Sequence, residues 1–322
     1  MRKYFISKIA QFTIMLFLIS VLSFAIIYIA PGDVSLMYIT PDMTPEQIQD
    51  VRAELGVDKS FLEQYLSWLI KALQGDFGKS FANKNPVLPQ ITKRLPATMK
   101  LMGLAMVVSI LCAIPLGLWA GYKKNTWVDS LISGFSYIGM SMPSFWMGTI
   151  LIMVFAFKLR LFPTSGMHTV GSESFLDTLW HMVLPCATLS LPTTAVYTRF
   201  VKANTVRELA EEYVLTAKSK GSTGPQILWR HVTKNTLLPV ITLAGMNFSS
   251  LVCGSFIIES VFGWPGIGTL AMTAIKTQDY PLIMVYILMA GLLVITGNFV
   301  ADILYGVADP RIKREIDEAN GK

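Results

Sequence analysis

Six stretches of this chain carry no Asp, Glu, Lys or Arg over lengths that reach or approach a bilayer crossing: residues 9–30, 102–121, 131–157, 182–198, 236–258 and 281–301. A crossing helix needs about 20 residues, and hydrocarbon offers backbone amides no partner, so such runs fold as helices. The constraint is severe: the chain is predicted to be an all-α integral membrane protein with six transmembrane helices. Composition agrees, with 52% hydrophobic and 15% charged residues, which excludes an ordinary soluble enzyme. The first run is too long for a signal-peptide core, and Ala30 leads into Pro31-Gly32-Asp33 without a small-residue cleavage site. It is predicted to remain as a helix.

Basic residues resist translocation and set the orientation. Arg2, Lys3 and Lys8, Lys123 and Lys124, the cluster from Arg199 to Lys234, and Arg311, Lys313, Arg314 and Lys322 fall on one side when both termini are cytoplasmic. The net charge of +6 then reads as topology, not as nucleic-acid binding. Cys112, Cys186 and Cys253 fall inside predicted spans without a CxxC pair and read as small core residues.

Residues 31–95 would lie outside, where Thr44-Pro45-Glu46-Gln47 is a capping box with proline at the first helical position and Gly56 a stop. A second helix is predicted over residues 61–73, so a small helical cap follows the first span. Pro115, Pro143, Pro185, Pro192 and Pro239 each delete a backbone hydrogen bond within or beside a span, which predicts kinked helices around an internal path. Tyr137, Phe145, Trp146 and Phe248 either line such a path or face lipid, and periodicity does not separate the two.

Between the fourth and fifth spans lies a polar island, residues 200–235. Val206, Leu209, Ala210, Tyr213, Val214 and Ala217 recur at helical spacing, Glu208, Glu211 and Glu212 precede Lys218 and Lys220, and Gly221 stands where a left-handed cap belongs. One amphipathic helix over residues 206–220 is predicted, with a new start at Gly224-Pro225. Amphipathicity alone leaves two readings, a helix lying on lipid or a helix offered to a soluble partner.

Catalytic and metal signatures are weak. Gly78-Lys79-Ser80 ends like a phosphate-binding loop, but position 73 is Leu where glycine is required. His168, His181 and His231 show no metal-ligand spacing, and no nucleophilic triad or HExxH occurs, so neither a metal nor a catalytic site is expected. Lys100, Glu259 and Asp302 sit near span ends, not in their middles, which speaks against the rival class, an ion-coupled secondary transporter.

The run Glu212-Tyr213-Val214-Leu215-Thr216-Ala217-Lys218-Ser219-Lys220-Gly221, followed by His231, Asn235 and Leu237-Leu238-Pro239, resembles the signature loop of permease subunits of ATP-binding-cassette importers, in the spacing of the peptide and nickel subgroup. Glu259-Ser260-Val261-Phe262-Gly263-Trp264-Pro265-Gly266-Ile267-Gly268 resembles that family's outer element. Asp279-Tyr280-Pro281, Asp309-Pro310-Arg311, Pro31-Gly32-Asp33 and Gly75-Asp76-Phe77-Gly78 are similar too. The resemblance implies a type I importer permease fold: a first helix plus extracytoplasmic segment (1–96), a five-helix core (97–310) with a coupling helix at about 205–221, and a tail (311–322). It implies that Leu209, Glu212, Tyr213, Ala217, Lys218, Lys220 and Gly221 meet an ATPase, and that Glu259, Phe262, Pro265, Gly266 and Gly268 shape an outer gate. It also implies the partners: a homologous second permease, two ATPase subunits that bind the ATP and magnesium this chain does not, an extracytoplasmic peptide-binding protein and membrane lipid, in a bacterial inner membrane. The expected cargo is oligopeptide or dipeptide, with nickel or a metal chelate as the alternative.

Overall fold

The apolar runs are helical wherever the computed structural model describes the chain, namely residues 2–30, 39, 42–56, 58–172 and 174–308. Pro31-Gly32-Asp33 and Asp309-Pro310-Arg311 lie outside the described residues, as does the tail. The elements are α1 (Arg2–Ile29), α2 (Pro45–Leu55), α3 (Phe61–Leu73), α4 (Val87–Tyr122), α5 (Trp127–Ser141), α6 (Ser144–Leu151, continued by a wide turn Ile152–Lys158), α7 (Phe175–Glu208), α8 (Glu212–Ser219), α9 (Gly224–Ile227, continued by a wide turn Leu228–Val232), α10 (Thr233–Val261), α11 (Ile267–Lys276) and α12 (Tyr280–Ala308). Extended pairing among the described residues is confined to one antiparallel bridge, Lys79 with Pro86.

Four segments are long and apolar enough to cross a membrane: Ser7–Ile29, Val87–Tyr122, Leu243–Val261 and Tyr280–Ala301. The expected third span is not one helix. It breaks at Met142-Pro143 into α5 and α6, bent by 106°, because proline disfavours a helical residue before it and cannot donate. The expected fourth span falls within α7, whose 34 residues are ample in length but rich in Thr and Ser. Those hydroxyls turn back onto their own helix, as Thr188 does by donating to the Leu184 carbonyl (2.8 Å). They can be buried because α7 sits centrally, packed along α4 and touching α5, α6 and α10. Pro115, Pro185 and Pro192 are all accommodated inside continuous helices.

Small residues set the closest approach. A methyl group at Gly117 would lie 2.5 Å from Val201 Cβ, and one at Gly121 would lie 2.6 Å from Thr205 Cβ. This Gly-x-x-x-Gly pair lets α4 and α7 meet almost backbone to backbone, the usual solution where lipid provides no hydrophobic drive. The boundary drawn at 96/97 falls inside α4, which runs through it without interruption.

Both predicted cap helices are present. Thr44 and Gln47 form the capping box, Gly56 closes α2 in the left-handed region (φ 67°), and α3 carries a second box from Ser60 to Glu63. Instead of standing clear of the span, α3 lies along α1. Phe61, Tyr65 and Trp68 meet Phe24 edge-on or tilted, and Tyr65 reaches Phe17 and hydrogen-bonds Ser20 (2.9 Å).

Candidate functional site

The two motifs singled out in the sequence sit at opposite ends of α10, whose 29 residues span about 43 Å at 1.5 Å per residue.

At the α8 end, the single helix expected over residues 206–220 is in fact two pieces. α7 ends at Glu208, Leu209-Ala210-Glu211 turn the chain, and α8 begins at Glu212. No proline or glycine forces this break, so its cause is tertiary. Turning lets α8 lay Val214 (fully buried) and Ala217 into one cluster with Leu118 of α4, Val201 of α7, Ile227 of α9, and Leu228 and Val232 of the wide turn that leads into α10. Burying a side chain of valine size contributes about 2 kcal/mol. Leu209 and Tyr213 pack at the edge of the same cluster.

The predicted apolar stripe therefore faces the protein's own helices. Outward point Glu212, Leu215 (61% exposed), Thr216, Lys218, Ser219 and Lys220. Gly221 ends α8 in a Schellman arrangement: its N–H donates to the Lys218 carbonyl (2.9 Å), and the Ser222 N–H donates to the Ala217 carbonyl (3.1 Å). Its φ is +83°, and a side chain there would meet open space. Thr223 and Gln226 then form a capping box, which starts the next helix at Gly224-Pro225 as expected.

Polar ties fix this end. The Tyr213 hydroxyl donates to Glu208 Oε2 (3.0 Å), which also accepts from Asn235 Nδ2 (3.3 Å), so one carboxylate joins α7, α8 and α10. Burial, reinforced by the neighbouring Glu208, pushes the Tyr213 phenol up to about 12, so it stays a donor at neutral pH. One turn and a half earlier on α7, Lys202 pairs with Asp129 of α5. Asp129 also accepts from Ser133 Oγ and the Asn125 N–H, both at 3.1 Å. Glu208 and Asp129 were missed in the sequence because their partners lie on other helices at no fixed spacing.

At the α11 end, Glu259 is fully buried and its Oε2 accepts from the Gly268 N–H (2.6 Å). It thus caps the first turn of α11 from another helix. A methyl at Gly266 would overlap the Glu259 carboxyl group, and one at Gly268 would lie 2.6 Å from Phe256 Cα. Neither glycine has positive φ. Their role is room for the carboxyl group, not a left-handed turn. Phe262 and Trp264 are buried, the Trp264 indole donates to the Ala97 carbonyl (3.0 Å), and Thr98 Oγ1 accepts from the Ile267 N–H (2.9 Å). The element is thereby bolted to α4.

Asp279 performs a parallel task nearby. It accepts from the Ser80 hydroxyl and from the N–H groups of Phe81 (3.0 Å) and Ala82 (3.4 Å), while Phe77 packs on Leu282, Val285 and Ile91. The stretch that imitates a phosphate loop is thus a tie to the start of α12. His168 of the loop and His181 of α7 both come within 3.8 Å of Asp177, and the Gly166 N–H of the same loop donates to the Phe262 carbonyl (2.9 Å).

A bundle of crossing helices, one of them broken, with an exposed capped helix at one end and a buried carboxyl-capped element at the other, defines a membrane transport subunit. The chain belongs to the binding-protein-dependent transport system inner membrane component family, whose model matches residues 113–314, while the model of the family's N-terminal region matches residues 1–102. It is 37% identical to the oligopeptide transport system permease protein AppB of Bacillus subtilis over 297 residues, 92% of this chain and 94% of that one. With the glutathione transport system permease protein GsiC of Escherichia coli K12 it shares 34% identity over 313 residues, 97% and 99% of the two chains. A structure of the MetNI methionine ABC transporter in an inward-facing conformation superposes with a TM-score of 0.50 at 13% identity, covering 67% of this chain and 97% of that one. That likeness speaks to fold alone, the type I importer fold.

The chain is accordingly a multi-pass inner-membrane transport subunit, not an enzyme, and ATP hydrolysis belongs to separate subunits. Subunits of this family work with an ATPase and a substrate-binding component.

Proposed function

We propose that this chain is one of two homologous, non-identical permease subunits of an importer of short peptides. Two ATPases that carry the ATP and magnesium drive it, and an extracytoplasmic peptide-binding protein supplies it. The peptide class rests on AppB and GsiC, whose named cargoes are oligopeptide and glutathione. In this reading both termini and α8 are cytoplasmic, α7 is the sixth crossing helix, and the 259–268 element belongs to the outer gate.

The observation that carries the coupling role is α8 itself. It is a short helix closed at its C-terminus by Gly221, one face seated on α9, on the wide turn that leads into α10 and on the cluster they share with α4 and α7, and the other exposed with Leu215 at its centre. An ATPase that grips the exposed face moves three helices through the buried one, and alternating access follows as those helices swing. Glu212, Lys218 and Lys220 are then direct contacts, whereas Tyr213, Ala217 and Leu209 transmit, and Gly221 sets where the helix stops.

The test uses the full complex in proteoliposomes. Ala217→Trp, which wedges the buried face apart, is expected to lower ATP-driven peptide uptake at least tenfold while the complex still assembles. Normal uptake together with normal stimulation of ATP hydrolysis by loaded binding protein overturns the coupling role.

A further inference from the structure

The sequence left Tyr137 undecided between lipid and a path, and a single cation bears on it. Arg199, an exposed residue of α7, places its guanidinium 4.9 Å from the centre of the Tyr137 ring and donates from Nη1 to Met140 Sδ (3.5 Å). α5 and α7 run antiparallel, with Lys202 against Asp129 and Ser133, and Gly139 against Leu191 and Ala195. Tyr137 is eight residues beyond Asp129, about 12 Å deeper along the helix. Arg199 therefore reaches inward along the crossing pair, away from the level of the Lys202–Asp129 pair. Its target, Met140, stands two residues before Met142, where the 106° break falls.

Among the described residues no carboxylate pairs with Arg199. A guanidinium with no carboxylate partner is costly against acyl chains, so its exposure beside Tyr137 points to a wet, functional surface. Broken helices near the middle of the membrane are where transporters build substrate sites. The Tyr137 face steadies the cation, and a thioether is only a weak acceptor, so most of the fork of N–H donors is free. That fork matches a carboxylate in a bidentate manner. Every linear peptide with an unmodified end carries one.

We propose that Arg199, propped by Tyr137, lines the translocation path and receives the terminal carboxylate of the passing peptide. This rests on the peptide reading above and adds a residue and a chemical group to it.

The experiment has two arms, both in the assembled complex. In the first, Cys112, Cys186 and Cys253 are replaced by Ala and Arg199→Cys is introduced. Its modification by the water-soluble anion 2-sulfonatoethyl methanethiosulfonate is then followed. Modification is expected, and binding protein loaded with trialanine plus ATP should slow it at least threefold relative to empty binding protein plus ATP. No modification in any nucleotide state means lipid or a sealed subunit contact, and modification indifferent to peptide means a wet but substrate-free surface. Either overturns the proposal. In the second arm, Arg199→Gln should lower maximal trialanine uptake at least tenfold without changing the half-saturating concentration of binding protein, and Arg199→Lys should stay within threefold of wild type. Wild-type uptake by Arg199→Gln overturns it as well. If the wild-type complex moves no peptide at all, the peptide reading fails, while the accessibility of residue 199 still reports whether the path lies there.

Discussion

The two ends of α10 use glycine for opposite reasons, and the contrast separates a backbone role from a packing role. At the α8 end, Gly221 has φ +83° and nothing near its missing side chain. It is needed for its backbone, and the helix it ends is exposed on one side. At the α11 end, Gly266 and Gly268 have ordinary backbones but no room, since the Glu259 carboxyl group and Phe256 occupy the space. An exposed, conformationally defined rod suits a surface that another protein grips. A buried carboxyl cap tied to α4 by Trp264 and Thr98 suits a part that must keep its shape while its surroundings swing.

Substitutions can break this contrast. The largest effect is expected from Gly268→Ala, whose methyl meets backbone that cannot rotate away. Overpacking of this kind costs about 3 kcal/mol, and the complex should fail to accumulate as a monodisperse species in size-exclusion chromatography. Glu259→Ala removes the acceptor and leaves the Gly268 N–H buried and unpaired, for about 1–3 kcal/mol, read as a lowered thermal midpoint of the complex. Both variants behaving like wild type means the cradle has been misread.

Gly221 should respond to backbone chemistry, not to size. Gly221→Val places a β-branched residue in the left-handed region, at about 1–2 kcal/mol, and should reduce uptake severalfold. Gly221→Asn, which tolerates that region, should stay near wild type although asparagine is larger than alanine. Equal losses for Asn and Val point to a steric contact with the ATPase and erase the difference between the two ends.

Much of this was legible in the sequence, and the misses share a cause. Four of the expected spans, the cap helices α2 and α3, Gly221 as a stop and the Gly224-Pro225 start were readable because caps, apolar runs and helix period are local. What escaped was set by contacts between helices. α7 and α8 read as one helix because the stripe from Val206 to Ala217 keeps its period across a turn that only packing on Ile227 and Leu228 creates. α7 stood out in the sequence only by its lack of charge, since its Thr and Ser residues dilute the apolar signal and are tolerated by central burial. The pairing of Asp279 with Ser80, nearly 200 residues away, and of Glu259 with Gly268 has no sequence period to reveal it. Nor does composition tell the crowding at Gly266 and Gly268 from the flexibility glycine usually signals.

A smaller effect tests how firmly α8 is latched. Tyr213→Phe deletes the bond to Glu208 but keeps the ring, so about 1 kcal/mol is at stake, and Glu208 retains Asn235. Hydrogen exchange of the α8 amides should rise about fivefold, by the same conversion of free energy to population, with uptake little changed. If exchange is unaltered, the apolar face alone holds the rod.

The smallest effect should come from the loop beside the α11 end, and it has a defined pH window. Asp177 is held below the ordinary carboxylate range chiefly by the Thr169 hydroxyl and then by the Thr169 N–H, both at 2.7 Å. A carboxylate with a depressed folded pKa contributes stability that is fully present above its unfolded value of about 4. That contribution disappears only as the pH falls through the lower folded value. Exchange protection of the Gly166 amide, which donates to the Phe262 carbonyl, should therefore be flat from pH 5 to pH 8 on this account and decline only below about 4. Thr169→Val removes the side-chain donor and should move the onset of that decline upward, toward the ordinary carboxylate value. An onset well above 4 in the wild type would show that the Asp177 carboxylate does not anchor the loop, and would turn attention to His168 and His181, the side chains that face it.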